Sequence, residues 1–250
     1  MTAPALFHLG RDRFDAAIVD LDGTMVDTLG DFVAALNRML AELLHGHSPM
    51  LRLDAAAVER MVGKGSEHLV RSTLKHVQAQ MGGAQPAIDL IANYDSAYAA
   101  YQRHYTDING RHSAVYPGVL AGLHALQQAG LQLACLTNKP LAFAQELLKL
   151  KGLDGFFTQV FGGDSFERKK PDPLPLLKTC ECLGTSPART LMIGDSSNDA
   201  RAARAAGCPV LLVTYGYNHG EPVRDVDADG FLDSLESLSE GVPAKLAAQK

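Results

Sequence analysis

The sequence predicts an α/β fold: a parallel-sheet core interrupted, just after its first strand, by an all-helical insertion. Three observations predict it. Apolar runs of strand length recur along the chain and stop abruptly at polar residues; such runs suit strands buried on both faces of a parallel sheet. Segments of helical periodicity separate them, as βαβ crossovers require. One long block, from Thr28 to His112, carries helical stripes and no clear strand.

The chain's 250 residues allow one large domain or two small ones. With 46% hydrophobic and 20% charged residues, the composition is that of a globular protein. Twenty-three basic against 28 acidic side chains leave a net charge of −5. That balance argues against a broad nucleic-acid-binding surface but permits a local basic pocket. Met1–Asp15 lacks the apolar core of a signal peptide, and no apolar run approaches the length of a membrane span. Of the four cysteines, Cys135 and Cys208 read as small core residues. Cys180 and Cys182 are too closely spaced for the usual zinc pair. Reduced thiols in a cytoplasmic protein are expected.

The first strand, Phe14–Val19, runs into Asp20-Leu21-Asp22-Gly23-Thr24. Ligands of open α/β sheets bind beyond the carboxyl ends of the strands. Two carboxylates this close repel, and a divalent cation such as magnesium would relieve the repulsion. The plain alternative is a turn cap. Gly23 lets the chain turn, and Thr24 is expected to bond the backbone of that turn. Asp27 and Thr28 can cap a helix whose stripe runs from Phe32 through Leu36, Met39 and Leu40 to Leu44, ending at His45-Gly46-His47-Ser48-Pro49. Further helices are expected at Asp54–Met61, Glu67–Gln80 and Ala87–Tyr105. Among them lies Val62-Gly63-Lys64-Gly65-Ser66. It is either an interhelical loop with a solvated lysine, or a loop that carries Lys64 to an anionic part of a substrate.

Tyr116-Pro117-Gly118 marks the return to the core, followed by a short helix through Leu120, Leu123 and Leu126. A strand over Leu131–Leu136 ends in Thr137-Asn138-Lys139-Pro140, a helix spans Ala142–Leu150, and a short strand is expected at Gln159–Phe161. Lys169-Lys170-Pro171-Asp172-Pro173 sets a lysine on a rigid support and starts a helix. A strand over Thr190–Ile193 ends in Gly194-Asp195-Ser196-Ser197-Asn198-Asp199, ahead of an alanine-rich helix, Ala200–Ala206. Pro209–Thr214 is the fifth strand and leads to a polar loop holding His219. Gly230–Leu232 and a weak terminal helix complete the pattern.

Four strand ends thus carry polar residues, and together these stretches resemble the four motifs of the haloacid dehalogenase-like superfamily. They are Asp20-Leu21-Asp22-Gly23-Thr24, Thr137-Asn138, Lys170 before Pro-Asp-Pro, and Gly194–Asp199. The resemblance covers about Phe14 to Leu238. Within the superfamily the chain is most similar to bacterial phosphoglycolate phosphatases, in Val19–Thr28, Val62–Glu67, Leu136–Pro140 and Thr214–Glu221.

The resemblance implies a Rossmann-like core of residues 1–27 and 113–250 with a helical cap of residues 28–112. It implies Asp20 as nucleophile, Asp22 as acid and base, and Lys170 as the cation between nucleophile and phosphate. Thr137 and the Asn138 backbone N–H would bind phosphoryl oxygens. Magnesium would be held by Asp20, the Asp22 backbone carbonyl and Asp195, with Asp199 orienting that shell. Lys64 is the candidate for the substrate's own charge. Plain readings remain: Asp195 and Asp199 could cap a helix, Lys169 could stand in for Lys170, and His219 could be an ordinary loop residue. The implied activity is dephosphorylation of 2-phosphoglycolate or another small phosphorylated metabolite. The competing readings are a β-phosphoglucomutase-like mutase, a dehalogenase and an inactive binding module. Neither nucleic acid nor membrane is an expected partner, and the chain would act as a monomer or homodimer.

Overall fold

The structure, a computed structural model, describes residues 6–7, 13–45, 51–81, 89–239 and 242–243. In chain order these form β1 (Leu6–Phe7), β2 (Ala16–Val19), β3 (Val26–Asp27), α1 (Leu29–Leu43), α2 (Ala55–Glu59), α3 (Ser66–Gln80) and α4 (Tyr94–Ile108). There follow β4 (Ala114–Val115), α5 (Val119–Gln128), β5 (Gln132–Leu136), α6 (Leu141–Leu150), β6 (Gln159–Phe161) and α7 (Leu174–Leu183). Last come β7 (Thr190–Gly194), α8 (Ser197–Ala206), β8 (Val210–Val213), β9 (Gly230–Leu232) and β10 (Val242–Pro243).

Six parallel strands make the main sheet, in the order β6-β5-β2-β7-β8-β9. Their alternating side chains divide between two apolar layers. Ala17, Val19, Leu133, Cys135, Leu191 and Ile193 pack with Leu123, Leu126, Leu147 and Leu148 of α5 and α6. Ile18, Leu136, Met192 and Leu212 pack with Leu176 and Cys180 of α7 and the alanines of α8. Small alanines let α8 lie close to the sheet. Cys182 is exposed, the other three cysteines are buried, and all four are free thiols.

The chain winds outward from β2 on both sides, through β5 to β6 and through β7 to β9. That reversal opens a crevice at the carboxyl edge of β2. Register aligns its lip: Val19 lies opposite both Cys135 and Ile193. The polar residues that follow these three strands therefore leave the sheet side by side.

Helices α1 to α4 bury a separate core, including Leu36, Met39, Leu40, Leu69, Val70, Leu74, Tyr101 and Tyr105. The chain leaves the sheet unit through β3 and returns through β4, which pair antiparallel, Val26 with Val115 and Asp27 with Ala114. Two residues are too few for periodicity to reveal this pairing in advance. Asp31 reinforces it: fully buried, its carboxylate accepts the Gly110 and His112 backbone N–H groups at 2.8 and 2.6 Å.

Several boundaries differ from the sequence pattern. The helix expected at Ala87–Tyr105 begins only at Tyr94, because Asp89 accepts the N–H groups of Ile91 and Ala92 and closes a turn ahead of it. Ala87 and Ile88, like residues 46–49 of the expected helix stop, lie outside the described residues. At the start of α1 it is Asp27, not Thr28, that accepts the Leu29 N–H. After β9 the chain forms a 3-10 turn over Leu235–Ser239, and residues 244–250 lie outside the described residues. Among the described residues no helix is long and apolar enough to cross a membrane.

Candidate active site

A small cavity of about 40 Å³ lies between the carboxyl edge of the sheet and the helical unit. Its floor carries Asp20, Asp22, Thr137, Asn138, Lys139, Lys170, Asp195, Asn198 and Asp199. Its roof carries Phe32, Val62, Gly63, Gly65, Ser66, Leu69, Tyr101 and Tyr105. Floor residues come from strand ends, the loop ahead of α7 and the first turn of α8, and roof residues from helices and the loop between α2 and α3.

Lys170 is central to the floor. Its Nζ donates to Asp199 Oδ1 at 2.7 Å and to the Leu136 carbonyl at 2.8 Å, and forms an ion pair with Asp20 Oδ1 at 2.8 Å. Burial works against its charge, but Asp199 and Asp20 outweigh that and raise its pKa. The Asn138 side chain secures Lys170 from behind: Nδ2 donates to the Lys170 carbonyl and Oδ1 accepts the Lys170 N–H. Lys169, next in sequence, points outward and pairs with Glu67 of α3 at 2.5 Å.

Asp199 Oδ2 accepts from the Ser196 hydroxyl at 2.9 Å and from the N–H groups of Ser196 and Asp195 at 3.2 and 3.3 Å. Ser196 and Asp199 thus form a capping box on α8. The capping role and the place in the carboxylate cluster belong to the same side chain. Asp195 accepts the Tyr217 N–H at 2.6 Å and faces the Thr24 hydroxyl at 3.4 Å. Thr24 therefore reaches a carboxylate rather than the turn backbone expected of it. Gly23 is required beside it: φ is +83°, and a Cβ there would sit 2.2 Å from Asp195 Oδ2.

One oxygen or more from each of Asp20, Asp195 and Asp199 lies within 4.8 Å of the others. Burial pushes the Asp20 carboxyl up to about 7, against the opposing pull of Lys170. Burial, then the charges of Asp199 and Asp20, pushes Asp195 well above the carboxylate range. Four carboxylates of the floor, counting Asp22, face only two ammonium groups, Lys139 and Lys170. This hard-oxygen, electron-rich site suits a magnesium ion, whose two charges would balance it.

Thr137 and Asn138 stand on the floor as well, both nearly fully buried. Lys64 does not join them. Its side chain is exposed and borders an outer groove with Glu167, Arg168 and Arg201. The reason is backbone geometry. Gly63 and Gly65 both take positive φ, and the Gly63 carbonyl accepts from Asn138 Nδ2 at 3.0 Å and Asn198 Nδ2 at 3.1 Å. The loop thus presents backbone to the floor and turns the lysine away. His219 lies beside Gly63 of the same loop, with Nε2 3.3 Å from Asn198 Nδ2.

Two groups were not singled out by the sequence. Lys139 is buried, with Nζ 2.8 Å from Asp22 Oδ1 and 2.7 Å from the Tyr105 hydroxyl, under the rings of Phe32 and Tyr105. Its place right after Thr137-Asn138, at a strand end that also needs charge balance, was the available signal. Tyr217 bonds Asp195 through its N–H, while its hydroxyl meets Asp27 and accepts the Thr28 and Leu29 N–H groups. One residue thereby touches both the carboxylate cluster and the crossing into the helical unit.

Comparison with known proteins agrees with this geometry. The family model of the haloacid dehalogenase-like hydrolases matches residues 14–207. The phosphoglycolate phosphatase of Thiobacillus denitrificans is 42% identical over 220 residues, which are 88% of this chain and 92% of that protein. The plasmid-encoded phosphoglycolate phosphatase of Cupriavidus necator is 44% identical over 93% of this chain and 95% of its own length. A crystal structure of a predicted phosphoglycolate phosphatase from Haemophilus somnus superimposes with a TM-score of 0.83 at 28% identity, covering 92% of this chain and 99% of that one. With sheet order, strand-end residues and family model in agreement, the chain belongs to the haloacid dehalogenase-like hydrolases.

Proposed function

We propose that this hydrolase is a magnesium-dependent phosphatase that converts 2-phosphoglycolate to glycolate and phosphate, with residues 28–112 acting as a cap over the core. The observation that carries the reading is the buried Asp20–Lys170–Asp199 cluster opening into a small cavity. Relatives named phosphoglycolate phosphatase at 42 and 44% identity support the substrate. The roof also favours a small leaving group over a sugar. Phe32, Val62, Leu69 and two tyrosine rings offer few partners for a ring of hydroxyls.

In this mechanism the Asp20 carboxylate attacks phosphorus. The bond from phosphorus to the ester oxygen breaks, and Asp22 gives that oxygen a proton. An aspartyl-phosphate forms on Asp20, dividing one difficult displacement into two easier ones. Water then attacks the same phosphorus and yields its proton to Asp22, and the bond to Asp20 breaks. In the form described here Asp22 is ion-paired with Lys139, which suits its role as base in this second step. Lys170 offsets the charge that builds between Asp20 and the phosphoryl group, and Thr137 with the Asn138 N–H holds phosphoryl oxygens. Asp20, the Asp22 carbonyl and Asp195 would hold magnesium, with Asp199 fixing their orientation. When bound, the ion supplies positive charge to the transferring phosphoryl group.

The test is phosphate release from a panel containing 2-phosphoglycolate and several sugar phosphates, with magnesium and with EDTA. The expected outcome is EDTA-sensitive release with a marked preference for 2-phosphoglycolate. Phosphoryl return to a sugar with little free phosphate would overturn the reading in favour of a mutase.

A further inference from the structure

We infer that Lys139 is the binding site for a carboxylate on the leaving group, and so the residue that makes this site select phosphorylated acids. The inference deepens the proposed function and rests on it.

The cavity is short of cations. Its lining contains two, and Lys170 is committed to the floor: Nζ donates to the Leu136 carbonyl and to Asp199 and is ion-paired with Asp20. Lys139 spends two N–H bonds, on Asp22 and the Tyr105 hydroxyl, and its third has no partner among the described residues. The roof supplies no charge: every residue it contributes is apolar, aromatic, glycine or serine. Lys64, the one lysine of the roof loop, faces outward. An anionic leaving group enclosed here therefore has a single ammonium to meet.

Position argues the same way. The leaving oxygen must lie at Asp22 to receive its proton, and Lys139 Nζ is 2.8 Å from Asp22 Oδ1. In 2-phosphoglycolate the carboxylate is bonded to the carbon that carries the leaving oxygen. A substrate placed for proton transfer thus brings its carboxylate to the Lys139 side of the cavity. The ammonium is also restrained there. Phe32 and Tyr105 rings lie 4.7 and 4.9 Å from Nζ, and Tyr105 in turn stacks on Phe32 and Tyr101. A buried, restrained cation discriminates strongly, because an uncharged leaving group leaves it without the added partner.

The experiment compares two substrates and two inhibitors. The substrates are 2-phosphoglycolate and 2-hydroxyethyl phosphate, which lacks the carboxylate. The inhibitors are 3-phosphonopropionate and propylphosphonate, an equivalent non-hydrolysable pair. In the wild type, 3-phosphonopropionate should bind at least about tenfold more tightly than propylphosphonate. In Lys139→Met, kcat/KM for 2-phosphoglycolate should fall about 100-fold further than that for 2-hydroxyethyl phosphate, chiefly through KM, and the inhibitor preference should vanish. An equal loss on both substrates overturns the inference and assigns Lys139 to the Asp22 chemistry. A preference that survives the substitution overturns it too. Lys139→Arg should retain part of the preference if the methionine variant does not fold. Equal inhibition by the two phosphonates in the wild type overturns the inference without any variant. The substrate panel separates the two failures: the proposed function fails when 2-phosphoglycolate is not preferred there, the inference when it is preferred without Lys139.

Discussion

The floor and the roof of the cavity are built on opposite plans. The floor is dense with charge, and almost every floor side chain is tied to another: Lys170 to Asp20 and Asp199, Asn138 to Lys170, Asp195 to Tyr217. The roof is uncharged, made of aromatic rings, aliphatic side chains and a loop that offers its backbone. Chemistry that must stabilise a charged transition state needs dipoles and charges set before substrate arrives, which the rigid strand ends provide. Enclosure needs shape and water exclusion, which packed helices provide. The comparison teaches that the roof can choose size while charge recognition falls to the floor.

Three experiments would break or sharpen that contrast. Asp20→Asn should produce the largest effect, a loss of at least about 10⁴-fold in 2-phosphoglycolate turnover with the fold retained by circular dichroism. Substantial residual activity would mean that the floor does not carry the nucleophile.

The second tests the charge crowding of the floor in protein stripped of metal with EDTA. Asp20 stands at about 7 when folded against 3.8 ordinarily. Below pH 3.8 it is protonated in both states and makes no difference. Between there and pH 7 the unfolded chain binds fewer protons, so stability falls as pH rises, and the loss is complete above 7. Wild-type Tm in EDTA should therefore drop more between pH 5 and pH 7.5 than that of Asp20→Asn, and magnesium should flatten the difference. Parallel curves for the two proteins would show that Asp20 carries no such burden.

The smallest effects lie at the seam. Asn198→Ala removes one of two bonds to the Gly63 carbonyl and should raise KM about fivefold, the worth of about 1 kcal/mol. Glu67→Gln breaks the half-exposed pair with Lys169 and should change KM less than about threefold, an effect lost in high salt. A larger change in Glu67→Gln than in Asn198→Ala would place the closure of the roof at its rim rather than at Gly63.

Much of this was legible in the chain itself. Buried strands such as Ala16–Val19 and Thr190–Gly194 announce themselves by continuous apolar runs, and the residues that follow must emerge at the sheet edge. That locality is why Asp20, Thr137 and Asp195 could be singled out without coordinates, whereas Lys170, in the loop after β6, was marked by the Pro-Asp-Pro step that follows it. Lys64 shows the limit: a glycine on either side frees the loop, and only the bonds from Asn138 and Asn198 decide which way its side chain faces.

By itself, then, the sequence determined the alternation of strand and helix, the helical insertion and the polar strand ends, since each depends on residues close together in the chain. Tertiary structure alone decided that Lys139 meets Asp22, 117 residues away, and Tyr105, 34 residues away. It also decided that Tyr217 bonds both Asp195 and the chain at Asp27. Such contacts leave no periodicity to read, because a buried charge or hydroxyl takes its partner from whatever the packing of distant elements brings within reach.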